Sequence, residues 1–234
     1  MNDHLMGDEA AAQVWAAWAR IETWMAAHAP GSLATVRPAA TEKQITAAET
    51  ELGVRLPPAL RAWYLLHDGS VGTRTDDFQD TTDGSLVTNP EWRKTAWLPP
   101  CYAWYQLDRM VTKWQVRTTP EGGGHDRAHL PLAVTAGDTW SGLFMDADPE
   151  RATFGRMAAW SIGALDHVGT SAFTLPQWLE EIASALEEGR CLRDANGADM
   201  PDLWPHLDEE DGALAWGDPE VMEEEDWTVH RGSR

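Results

Sequence analysis

The sequence predicts an α+β fold: a mainly antiparallel sheet of five or six strands, with N-terminal helices and a closing C-terminal helix packed mostly on one side. Three observations carry this expectation. Helical periodicity dominates from Ala10 to Gly69. Short apolar runs bounded by turn residues occupy residues 100–162. One further amphipathic segment follows, from Thr174 to Glu188. Helices, then strands, then one helix give segregated layers rather than alternating βα units.

The stretch Thr41–Gly69 organises the chain. Thr41 can accept a hydrogen bond from a free N–H of the first helical turn, and Gln44 can reach back, which makes a capping box. Ile45, Ala48 and Leu52 then form one apolar face. Gly53 can adopt the left-handed conformation that closes a helix. Pro57-Pro58 restarts the chain, because a first helical turn tolerates proline. Leu60, Trp63, Tyr64 and His67 continue the periodicity to Gly69.

Upstream, Ala10–His28 reads as a helix with Val14, Trp18, Ile21 and Met25 inward. Arg20 is its one basic residue, so a core-facing helix is a better reading than a membrane-surface one. Downstream, Tyr102–Leu107 reads as a short strand and Arg109–Arg117 as a helix capped by Asp108. Leu130–Thr135 and Thr139–Met145 read as strands joined at Ala136-Gly137-Asp138. The second is apolar on both faces and so is expected to be central. Gly155–Ile162 is another strand. Thr174 and Gln177 make a second capping box, and Gly189 stops the last helix.

The residues from Ile45 and Glu49 through Leu52-Gly53, Leu56-Pro57 and Leu65–Gly69 resemble the SUKH superfamily. Its founders are fungal Smi/Knr-type cell-wall regulators, and its bacterial members are mostly toxin-immunity proteins. Leu130–Ala133, Gly137-Asp138, Asp146, Gly155-Arg156 and Phe173–Leu186 follow in the same order. The resemblance spans roughly residues 10–190. It implies a non-catalytic protein-binding module. The expected organisation is a domain over residues 1–190 and an acidic, Trp-containing, extended and partly ordered tail over 191–234.

Composition narrows the partners. Lys+Arg is 18 and Asp+Glu 38, for a formal charge of −20. Such a chain repels nucleic acid and anionic membranes and attracts cationic proteins. Two cysteines make no disulfide scaffold, and a reduced, cytoplasmic protein is expected. There is no signal-peptide pattern and no apolar run long enough to span a bilayer. Trp supplies 14 of the aromatics, against three Tyr and four Phe.

No cofactor, metal or catalytic constellation is expected. Asp76, Asp77, Asp80 and Asp83 do not follow the alternating spacing of a calcium loop. Gly122-Gly123-Gly124 precedes no Lys-Ser/Thr pair, so it is not a phosphate loop. His125 and His129 are four apart but beside a glycine run, with no third metal ligand evident. No nucleophile stands beside a recognisable base.

The leading reading is a cytoplasmic immunity protein that masks a basic, nuclease-type toxin. A regulatory scaffold is the alternative, and a small enzyme with a pocket on the sheet is a third. Candidate partner-binding residues are Asp76, Asp77, Asp80, Asp83, Trp92, Trp97, Asp138, Trp140 and the tail residues Glu223, Glu224, Glu225, Asp226 and Trp227. Oligomeric state has no signal in the sequence.

Overall fold

The computed structural model describes residues 2–71, 92–135, 138–161, 166–223 and 227–232. Local signals account for most helix boundaries. Helix α1 (Asn2–His28) leads through a short α2 (Pro30–Leu33) to α3 (Glu42–Leu52). Both halves of the Thr41–Gln44 capping box form, and Gly53 closes α3 at φ 71°. Helix α4 (Pro58–Tyr64) starts on its proline. Helix α5 (Trp92–Thr95) and strand β1 (Tyr102–Trp104) precede α6 (Leu107–Arg117).

Helix α6 departs from expectation at its start. Asp108 lies within the first turn. The capping role falls to Asp68, whose carboxylate accepts the Leu107 N–H at 2.8 Å. The cap therefore comes from the end of the α4 segment, 39 positions earlier in the chain.

Strands β2 (His129–Thr135), β3 (Asp138–Asp146) and β4 (Met157–Ser161) complete an antiparallel sheet in the order β1-β2-β3-β4. Helix α7 (Leu175–Glu188) follows, with its Thr174–Gln177 capping box formed and Gly189 left-handed at its end. Strands β5 (Trp204–Asp208) and β6 (Ala213–Gly217), helix α8 (Pro219–Glu223) and strand β7 (Thr228–Val229) then build a second antiparallel sheet, β6-β5-β7.

The α+β class and the antiparallel pairing match the sequence reading. The expected single sheet of five or six strands is instead divided into four and three. The outer edges of the first sheet carry partners outside its strands. At β1, Leu98 and Tyr102 exchange backbone hydrogen bonds, and Ser70 N–H reaches the Trp104 carbonyl at 3.0 Å. At β4, Met157 N–H donates to Phe173 at 2.9 Å. The later strands therefore pair with one another. In the segment expected to be an extended, partly ordered tail, residues 204–208, 213–217 and 228–229 form this small sheet.

Register assigns the two faces of the main sheet. Trp104 stands opposite Ala133, which stands opposite Leu143; Gly142 stands opposite Trp160. Neighbouring positions on a strand point to opposite faces, so Trp104 and Trp160 lie on opposite sides. The Trp104 side is covered by α4 and α7, through Trp63 at 5.3 Å and Trp178 at 6.4 Å between ring centroids. Trp18 of α1 continues this row of rings to Trp63 at 5.3 Å. The Trp160 side is covered by the end of α6, where the Arg117 guanidinium lies 4.2 Å and the Lys113 ammonium 5.0 Å from the Trp160 ring. The helices α1, α4 and α7 thus share one face, as the order of helices and strands implied.

The second sheet is seated on α2 and α5. Ser32 N–H donates to the Gly212 carbonyl at 3.1 Å, and Leu214 N–H donates to the Ser32 hydroxyl at 3.0 Å. Lys94 pairs with Asp211 at 2.8 Å. Gly31 is required at this junction, because a Cβ there would stand 2.0 Å from the Asp211 carbonyl oxygen.

Candidate partner-binding surfaces

Two apolar recesses and one buried polar cluster stand out among the described residues. The larger recess has a volume of about 800 Å³ and lies at the Leu52–Pro58 corner. Leu52, Val54, Leu56 and Phe154 supply its apolar wall, and Asp126, Asp148 and Arg151 its charged side. Arg151 binds Asp126 at 2.7 Å and Asp148 at 3.1 Å. Behind them the fully buried Asp146 carboxylate accepts from the Thr153 hydroxyl at 2.5 Å and from Asp148 N–H at 3.0 Å. These bonds hold the β3–β4 connection in one shape.

The smaller recess, about 450 Å³, lies between the main sheet and the segment after α7. Leu143, Met157 and Phe173 form one wall, and Leu192, Met200 and Leu203 the other. Glu181, Arg193 and Asp194 stand at its rim. Backbone bonds fix the outer wall: Leu192 N–H to Leu203 at 2.9 Å, and Met200 N–H to Leu192 at 2.7 Å.

The polar cluster joins the two histidines singled out in the sequence. Asp166 Oδ2 lies 3.0 Å from His125 Nδ1 and 3.5 Å from His129 Nδ1, the latter at the outer limit of a hydrogen bond. Arg117 Nη2 donates to both carboxylate oxygens at 3.0 Å. Burial works against ionisation of Asp166, but its contacts with His129 and Arg117 outweigh that, and the carboxyl is held below its ordinary value. The guanidinium occupies the position where a cation would otherwise be needed. Among the described residues, no group of three or more His, Cys, Asp or Glu is arranged to hold a metal. Asp166 carried no signal in the sequence, since it lies 41 positions from His125 in an unpatterned segment.

A model of the SMI1 / KNR4 family (SUKH-1) matches residues 39–184. The chain belongs to this family. No curated protein matches it. The family is generally one of non-enzymatic immunity or regulatory modules. The matched SUKH-1 segment runs from just before α3 into α7, so it contains the whole main sheet, the larger recess and the Asp166 cluster. The second sheet and the outer wall of the smaller recess lie beyond it.

The sequence-derived partner residues distribute unevenly around this frame. Asp76, Asp77, Asp80, Asp83, Glu224, Glu225 and Asp226 lie outside the described residues. The backbone of Trp92 opens α5, and those of Asp138 and Trp140 lie in β3; their side chains are likewise outside the description. Glu223 is exposed at the end of α8. Trp97 is only 1% exposed and Trp227 only 5%, so neither ring offers area to a partner in this conformation. Trp97 instead packs 5.7 Å from Trp18. Of the described tryptophan side chains, Trp15 on α1 is the exposed one, at 48%. Cys101 and Cys191 are thiols rather than a disulfide. Among the described residues, no helix is long and apolar enough to cross a membrane.

Proposed function

We infer that this SUKH-1 protein is an immunity module that neutralises a basic toxin domain by binding and masking it. One observation carries the reading beyond the family: a formal charge of −20 on 234 residues. A nuclease-type toxin must present cationic surface to nucleic acid, and an acidic partner competes for that surface. Asp76, Asp77, Asp80, Asp83 and the Glu223–Asp226 run steer the partner electrostatically. Anchoring falls to aromatic surface, with Trp92 and Trp140 the candidates on the main domain, and Asp138 adds a further candidate carboxylate. The role is cytoplasmic, where such a toxin would act.

The test is affinity capture from native lysate, mass spectrometry of the bound protein, and titration of that protein's activity with purified chain. A basic domain whose toxic activity falls to zero at a fixed molar ratio supports the reading. Full activity at saturating chain, or turnover of a substrate by the chain itself, contradicts it.

A further inference from the structure

The smaller recess joins the family domain to the C-terminal segment that the family match leaves out. Its inner wall belongs to the main sheet and the approach to α7, through Leu143, Met157 and Phe173. Its outer wall, Leu192, Met200 and Leu203, belongs to the segment after α7. Met200 remains 37% exposed at the mouth. A recess of this size, apolar inside and open to solvent, suits one long side chain better than an extended apolar surface.

The rim supplies the polarity. Glu181 is engaged, because Arg190 binds it at 2.5 Å and Arg193 N–H donates to it at 2.7 Å. Arg193 is paired with Asp199 at 3.0 Å. Asp194 forms no ion pair among the described residues. Its Oδ1 accepts the Asn196 and Ala198 N–H groups at 2.9 Å each, which fixes the carboxylate in place at the rim. The mouth of the recess thus carries the Asp194 carboxylate, without an ion pair among the described residues, on a hydrogen-bonded loop, in a chain whose overall charge is already −20.

We propose that this recess receives a single arginine or lysine side chain projecting from a basic protein partner. The aliphatic stem lies against Met157, Phe173 and Leu203, and the cationic head meets Asp194 at the rim. Long cationic side chains pack in this way, with the stem on apolar surface and the head in water. The proposal rests on the reading of the partner as a basic protein, and it gives the C-terminal segment a function: it completes the anchoring site that the family domain alone leaves open.

The site can be tested without the partner. The chain is labelled with ¹³C-methyl methionine and titrated with N-acetyl-arginine methylamide, and in parallel with the citrulline compound, a neutral isostere. Met157→Leu and Met200→Leu assign the two reporting methyls. Met25 and Met110, both fully buried in α1 and α6, are internal controls. The expected result is a saturable shift of Met157 and Met200 with the arginine compound, at least tenfold weaker with citrulline and lost in Asp194→Asn. Asparagine keeps the Oδ1 acceptor that closes the loop and removes the charge together with the long 3.4 Å contact from the Asn196 amide to Oδ2, so the control methyls should not move in that variant.

Unmoved Met157 and Met200 signals overturn the proposal. So does an equal response to citrulline, a response surviving in Asp194→Asn, or an equal shift of Met25 and Met110. Any of these leaves toxin neutralisation intact, because inhibition of the captured partner is measured separately.

Discussion

The Trp216 indole N–H donates to the Trp97 carbonyl at 2.9 Å, and both rings are buried. This bond ties the second sheet to the segment before β1. Leu214 and Trp216 belong to the same apolar core as Trp18 and Trp63. The C-terminal segment is therefore part of the packing of the whole molecule. Trp216→Ala removes a large buried ring and leaves a buried carbonyl unsatisfied. A loss of about 3–5 kcal/mol is expected for such a change, read as a shift in urea midpoint. An unchanged midpoint would mean that the second sheet is energetically separate.

The corner between α3 and α4, inside the family match, should be as sensitive. Leu52 is 2% exposed and sits directly before the left-handed Gly53. Leu52→Ala is expected to cost roughly 2–5 kcal/mol, again by equilibrium unfolding. A cost under about 0.5 kcal/mol, the size of a surface change, would contradict burial of Leu52 in the core.

His67 sets an acid limit on stability. It lies 4.2 Å from Trp18 and 5.5 Å from Trp63, and burial pushes its pKa down to about 4, against a backbone hydrogen bond at Arg37 that favours the charged form. The unfolded imidazole binds its proton near pH 6.5. Below that pH the unfolded state holds a proton that the folded state refuses, so stability falls as the pH drops from about 6.5 towards 4. The slope approaches about 1.4 kcal/mol per pH unit for one such group. His206 and His230 are also shifted down by burial and add in the same direction. Unfolding midpoints between pH 4 and 7 should show the decline, and His67→Gln should reduce its slope. A slope equal to that of the parent chain would remove His67 from the account.

Arg117 compensates a carboxylate that has almost no contact with solvent. Its side chain is 6% exposed and that of Asp166 4%. Removing the guanidinium leaves Asp166 buried beside His125 and His129, and Arg117→Ala is expected to cost about 3–5 kcal/mol. Pairing Arg117→Ala with Asp166→Asn should recover part of that loss. A double variant less stable than the sum of the two single ones would show that the cluster is not held by this pair.

The parts of the fold legible in the sequence are those whose cause is local. Thr41 with Gln44 and Thr174 with Gln177 form their boxes within four residues, and Gly53 and Gly189 act at their own positions. The Val14–Met25 stripe reads directly because one helix face faces one core. What could not be read depends on residues distant in the chain. The cap on α6 comes from Asp68, and the partner of His125 is Asp166. The C-terminal segment was only partly legible from its composition. Its acidic residues suggest an extended tail, yet Leu214 and Trp216 are buried at alternate positions of β6 with half-buried Ala215 between them, a period-two pattern too short to stand out among prolines and carboxylates. Trp97 offered no signal separating an anchor from a core ring.

The most direct measurement is stopped-flow association of the chain with its captured basic partner across a salt series. Exposed carboxylates act over about 8 Å at physiological salt. Steering of this kind lifts association from about 10⁵–10⁶ to 10⁸–10⁹ M⁻¹s⁻¹ at low salt. The association rate is expected to fall steeply with salt. A lower rate is expected when Glu223, Glu224, Glu225 and Asp226 are changed to Gln or Asn, with the dissociation rate nearly unchanged. An association rate independent of salt and of those four residues would contradict recognition of a cationic partner by this acidic surface.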